Sequence, residues 1–174
     1  MTVLETERLL LREHRAEDLE AYVAMEADPD VRRYVGGSPR TREGAEKRFR
    51  EGLADALSPL SLRAVINKPE GIYIGRAGLY PHFGMKGPID GEASLSFYLS
   101  PAYWGQGLAT EAAEAFVRHG FETLGLNKIL ATIDAGNAAS RRVLAKLGFT
   151  HVGTERGRRT FENYELLHPD IPRE

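Results

Sequence analysis

The chain has 174 residues, 42% of them hydrophobic and 28% charged, the balance of one soluble globular domain over residues 1–174 with a sizeable core. A net charge of −2 removes the electrostatic reason to expect nucleic-acid binding. The absence of cysteine excludes disulfides, thiolate metal sites and a cysteine nucleophile, and agrees with a reducing cytoplasm.

In chain order, residues 3–12 read as a first strand. Glu5, Glu7 and Arg8 stand there where a signal peptide would be apolar, and no apolar run along the chain approaches the roughly 20 residues of a membrane span. Residues 16–27 read as a helix with Leu19, Tyr22 and Val23 as its buried stripe, ended by Pro29. A second helix is expected over residues 39–57, with Ser38 as cap, Pro39 in the first turn and Ala45, Phe49 and Leu53 facing inward. Residues 62–66 and 72–80 are strands joined by a turn, and the Gly- and Pro-rich residues 81–91 read as a loop.

A fourth strand places Ala93, Leu95, Phe97 and Leu99 on one face. Gly105 and Gly107 then mark a turn into a long helix, apolar at Ala109, Ala112, Ala113, Phe116, Val117 and Phe121. His119 is expected on the exposed side of that helix. Residues 128–133 alternate as a fifth strand. Asn137 caps a short helix with Val143, Leu144 and Leu147 as its stripe and Gly148 as its stop. Residues 149–155 and 160–167 form a closing hairpin. The expected fold is α/β (α+β), a mixed, mostly antiparallel sheet of about seven strands with helices on both faces.

The glycine turn carries the first chemical signal. The leading amides of a helix have no internal partners and sit at the positive end of its dipole, so they suit an anion such as a phosphate. A short glycine motif also serves a tight turn for geometry alone, and the two readings stand together until context decides.

Taken in order, the segments Ser96-Phe-Tyr-Leu99, Trp104-Gly-Gln-Gly-Leu-Ala-Thr-Glu-Ala112 and Asn137-Ala-Ala-Ser140, running on to Leu147-Gly-Phe149, resemble the GNAT superfamily of N-acetyltransferases. Thr6-Glu-Arg-Leu-Leu-Leu-Arg12 and Ile74-Gly-Arg-Ala-Gly-Leu79 resemble the first and third strands of its RimJ/RimL-like branch. Trp104 departs from the Arg or Gln that usually opens the superfamily's turn, but an aromatic there is common in that branch.

The resemblance implies a cleft where the fourth and fifth strands splay apart, with acetyl-coenzyme A as cosubstrate and no metal. Within it, Tyr98 and Leu99 would offer main-chain partners to the pantetheine arm. The amides of Gly105, Gln106, Gly107, Leu108 and Ala109 would receive the pyrophosphate, with the Thr110 hydroxyl as an extra donor. Asn137 would bond the arm while capping its helix, Arg142 would reach the 3′-phosphate, and Ser140 would protonate the departing thiolate. Ser94 occupies a strand position where family members often carry an acid. Glu92, two residues earlier on the same face, is therefore the first candidate base and Glu162 the second; water is the alternative.

The implied activity moves the acetyl group of acetyl-coenzyme A directly to a primary amine, a protein N-terminus or a small molecule, through a tetrahedral intermediate. A non-catalytic acyl-coenzyme A-binding module of the same fold is the alternative. A dinucleotide-binding oxidoreductase fits poorly, because Thr110 replaces the third glycine and only one strand-helix-strand unit follows the turn. The branch is compatible with a homodimer.

Overall fold

In the computed structural model, which describes residues 4–54 and 58–170, the expected first strand is two strands. These are β1 (Leu4–Glu5) and β2 (Leu9–Arg12), paired antiparallel. Thr6 makes the break: its amide donates to the Leu9 carbonyl at 2.9 Å and its hydroxyl accepts from the Leu9 amide at 3.0 Å. That local bonding competes with strand pairing, as short hydroxylated side chains commonly do.

The first helical segment opens as a 3-10 turn (Ala16–Asp18) and continues as α1 (Leu19–Ala27). A further short helix, α2 (Pro29–Arg32), follows at once. Asp28 caps it by accepting from the Asp30 amide at 2.8 Å, so Pro29 starts a helix as well as ending one. The next helix, α3 (Arg42–Ala54), begins later than expected because Thr41, not Ser38, accepts from an orphan amide, that of Gly44. Residues 55–57 of the expected helix lie outside the described residues.

After β3 (Leu62–Asn67) come β4 (Ile72–Gly84) and β5 (Gly87–Leu99), which form one long hairpin. The residues expected to form the loop 81–91 therefore belong to the sheet. Pro81 pairs with Ala93, and a register shift between Pro81 and Phe83 absorbs the irregularity; a bulge is where a strand tolerates proline. The chain continues through α4 (Leu108–Glu122), β6 (Lys128–Asp134), α5 (Ala138–Lys146), β7 (Thr150–Arg156) and β8 (Thr160–Leu167). The strand order is β1-β2-β3-β4-β5-β6-β8-β7, antiparallel except between β5 and β6. Among the described residues eight strands stand where about seven were expected, the extra one arising from the break at Thr6.

Each face of the sheet buries its own apolar layer. On one face Leu108, Ala112, Ala113 and Phe116 of α4 pack on Ala77, Leu79, Ala93 and Leu95. On the other, Tyr22, Val23 and Met25 of α1 and Ala45 and Phe49 of α3 cover Ala64, Ile66 and Tyr73. His119, expected on the outer side of α4, is 8% exposed and its Nε2 has no hydrogen-bond partner among the described residues. Burial, with a smaller contribution from the Arg63 charge, lowers its pKa and keeps the ring neutral.

One feature of the sheet positions the site. β5 and β6 pair only over Glu92, Ala93 and Ser94 against Lys128, Ile129 and Leu130. Beyond Ser94 the strands part: β6 continues its pairing with β8 on its other side, while residues 95–99 of β5 face a gap.

Candidate functional site

The gap opens into a cleft of about 420 Å³. One wall is Phe97, Tyr98 and Leu99 of β5, and the facing wall is Asn137, Ser140, Arg142 and Val143 of α5. The floor is the glycine turn with the first residues of α4, and Tyr34 and Val35 close it from the α2 side. A smaller space of about 110 Å³ continues between the parted strands, from Ser96 and Tyr98 to Thr132 and Asp134, sharing Phe97, Asn137 and Ser140 with the main cleft.

The turn has the geometry of an anion seat. Gly105 and Gly107 lie at φ +74° and +80°, a left-handed conformation that side chains with a Cβ resist. Gly107 is the N-cap of α4, and no side chain caps the helix amides, so those donors open on the cleft. Leu108, Ala109 and Thr110 of the first helical turn line it, as expected. Gln106 does not: its side-chain amide donates back to the Ala102 carbonyl at 3.0 Å and its own carbonyl accepts from Arg8 at 2.9 Å.

The β5 wall differs in one respect from the sequence reading. The Ser100 amide donates to the Ile74 carbonyl at 2.8 Å, and Tyr98 lies opposite Arg76 in register. Antiparallel alternation then turns the main-chain groups of Tyr98 toward β4 and those of Phe97 and Leu99 into the gap. Tyr98 therefore contributes its ring and hydroxyl. That hydroxyl accepts from Ser96 Oγ at 2.7 Å, and the ring lies 5.0 Å from the Arg76 guanidinium carbon. The Leu99 carbonyl does face the gap but already accepts from the Trp104 indole at 2.6 Å, which gives Trp104 a positioning role at the mouth of the turn.

On the opposite wall Asn137 caps α5, its Oδ1 accepting from the Ser140 amide at 3.1 Å. That leaves its Nδ2 donors available and places Ser140 one turn into the helix beside the gap. The helix start is anchored from behind: Arg141 bonds both Glu162 oxygens at 3.0 Å and the Ala135 carbonyl at 2.6 Å, while Asp134 pairs with Arg159 at 2.7 Å.

Neither expected base reaches the cleft. Glu92 is ion-paired with Lys128 at 2.9 Å where β5 and β6 still touch, so alternation placed it on the right face but at the closed end of the gap. Glu162 accepts from the Tyr164 hydroxyl and pairs with Arg141, contacts that lower its pKa and commit it to holding α5. Ser94, buried, has its Oγ 3.0 Å from His82 Nδ1. Sequence reasoning missed Tyr34 and Val35 as walls of the cleft and Asp134 as a wall of the smaller space. The only signal for the first two was Asp28-Pro29, a cap followed by a first-turn proline.

Comparison with known proteins agrees with this architecture. Residues 8–150 match the family model described as Acetyltransferase (GNAT) domain. N-acetyltransferase p20 of Bacillus licheniformis is 30% identical over 159 residues, covering 88% of this chain and 85% of that protein. The FsC-acetyl coenzyme A-N(2)-transacetylase of Aspergillus fumigatus is 32% identical over 172 residues, covering 97% and 71%. A GNAT-family acetyltransferase structure from Bacillus anthracis superposes with a TM-score of 0.85 at 25% identity, covering 97% of this chain and all of that one. The family model spans most of the chain, and relatives at 30% identity or more cover over two thirds of both sequences: this protein belongs to the GNAT acetyltransferases.

Proposed function

We propose that the chain is an acetyl-coenzyme A-dependent N-acetyltransferase whose cosubstrate lies in the 420 Å³ cleft and whose acceptor is a primary amine. The observation that carries this reading is the left-handed Gly105–Gly107 turn, with uncapped α4 amides, at the end of an unpaired strand edge. Such an edge pairs with the amide-rich pantetheine arm, and such a turn takes a diphosphate. The name of the Aspergillus fumigatus relative includes acetyl coenzyme A, which supports the donor. The opening Thr6–Arg12 segment and Trp104 favour the RimJ/RimL-like branch.

In this mechanism acetyl-coenzyme A supplies an acetyl thioester. The Phe97 main chain and the Asn137 Nδ2 donors hold the pantetheine arm, the Gly105, Gly107, Leu108 and Ala109 amides with the Thr110 hydroxyl hold the diphosphate, and Arg142 lies at the outer wall for a further phosphate. The acceptor nitrogen enters from the smaller space beside Tyr98 and Asp134. As the new C–N bond forms and the C–S bond breaks, the amine proton leaves through water, and Ser140 Oγ–H protonates the thiolate while taking a proton back from that water. Water takes the first role because both candidate carboxylates are held elsewhere, Glu92 by Lys128 and Glu162 by Arg141.

Thiol release followed over a panel of primary amines tests the reading. Acetyl-coenzyme A should raise the melting temperature while NAD does not, and at least one amine should trigger acetyl-dependent thiol release. Stabilisation by acetyl-coenzyme A with no release across the panel would favour a non-catalytic module; stabilisation by NAD alone would overturn the reading.

A further inference from the structure

Two charged groups beside the proposed phosphate seat have no part in the mechanism above. Glu111 sits in the first turn of α4. A carboxylate there suits the helix dipole but repels a diphosphate arriving at the same amides. The structure neutralises it: Oε1 accepts from the Thr6 hydroxyl at 2.6 Å and the Arg8 amide at 2.8 Å, and Oε2 accepts from Arg8 Nε at 2.7 Å. Burial opposes its ionisation, but these bonds outweigh burial and hold its pKa below the usual carboxylate value.

Arg8 also reaches the turn itself. Its Nη1 donates to the Gln106 carbonyl at 2.9 Å, fixing the peptide between the two left-handed glycines. Its Nη2 has no hydrogen-bond partner among the described residues and lies against the turn, 3.5 Å from where a Cβ on Gly107 would stand. The side chain is 42% exposed, so the guanidinium stands beside the turn partly in solvent. The backbone carrying it is held too: Lys68 donates its amide to the Arg8 carbonyl and its Nζ to the Thr6 carbonyl, both at 2.9 Å.

Resting on the acetyl-coenzyme A reading, we propose that Arg8 is a positioning and specificity residue for the donor. It cancels the Glu111 charge, sets the peptide plane of the phosphate turn and offers Nη2–H to a diphosphate oxygen. Acetyl-pantetheine lacks the diphosphate and separates this role from a purely structural one. Arg8→Ala should raise the KM for acetyl-coenzyme A about tenfold, the worth of one charge-assisted hydrogen bond, leave kcat unchanged, and leave the KM for acetyl-pantetheine unchanged. Adding Glu111→Gln to Arg8→Ala should recover part of the loss by removing the uncompensated charge. Should Arg8→Ala not fold, Arg8→Gln with the same two donors decides. An equal rise in KM for both donors would reduce Arg8 to a staple between the β1–β2 connection and α4 while leaving the acetyl-coenzyme A reading intact. Failure of the wild type to bind acetyl-coenzyme A at all would overturn both.

Discussion

Asn137 shows how one side chain serves fold and site together. Its oxygen is used up in capping α5, since Oδ1 accepts from the Ser140 amide, and its nitrogen is left for the cleft. Asn137→Ala should therefore lower stability by about 1 kcal/mol and raise the KM for acetyl-coenzyme A as well. Asn137→Ser should restore the cap without restoring the KM, and recovery of both by serine would remove the ligand contact from the account. Ser140→Ala should reduce kcat far more than binding, because the lost group acts only as the thiolate leaves; equal losses in kcat and affinity would make Ser140 a positioning residue. Both residues were legible because the cap, the stripe and the stop of α5 are all local signals. The Arg8–Glu111 pair was not, since its members lie 103 positions apart and charged residues in such segments usually face solvent.

At the scale of elements, sequence patterning located nearly every strand and helix but misjudged three junctions. Residues 81–91 looked like a loop because Pro and Gly usually punctuate strands; cross-strand pairing around a bulge overrode that signal. The first strand broke at Thr6 because a side chain bonded its own backbone. The third junction holds a buried charge cluster that no periodicity announced. Glu26 of α1, 1% exposed, receives Arg32 of α2 at 3.2 Å, Arg40 at 2.8 Å and Arg76 of β4 at 2.5 Å. One carboxylate therefore ties three guanidinium groups beneath the Tyr98 wall. Glu26→Gln keeps the shape but leaves buried cations without their counter-charge, a change that destabilises by about 3–5 kcal/mol. Denaturant unfolding should show that loss, and a loss below 1 kcal/mol would mean that water or another acid compensates the arginines.

For the whole molecule, two properties follow from the way the sheet divides its layers. The first is acid sensitivity from His14, whose ring packs against Tyr22, Phe49 and Tyr73 and whose Nε2 has no hydrogen-bond partner among the described residues. Burial, then the Arg76 charge, lowers its pKa from 6.5 to about 4. The folded state thus holds the neutral ring while the unfolded chain takes up a proton below about pH 6.5, so stability should fall as pH drops from 6.5 toward 4 and level off below that. The loss should amount to at most about 3–4 kcal/mol. His14→Phe should flatten that part of the urea-midpoint profile relative to wild type, and parallel profiles would assign the acid limb to carboxylates alone. The second property is the parting of β5 and β6 beyond Ser94, where β6 goes on pairing with β8 alone. Its place was legible only through family resemblance, because register between distant strands leaves no trace in local spacing. Titration calorimetry of acetyl-coenzyme A into the wild type and into Gly107→Asp tests the central claim most directly. At φ +80° the new carboxylate occupies the anion seat in a chain that still folds. The wild type should bind measurably and the variant not at all, at matched secondary-structure content; equal affinity in both would place the diphosphate away from the glycine turn.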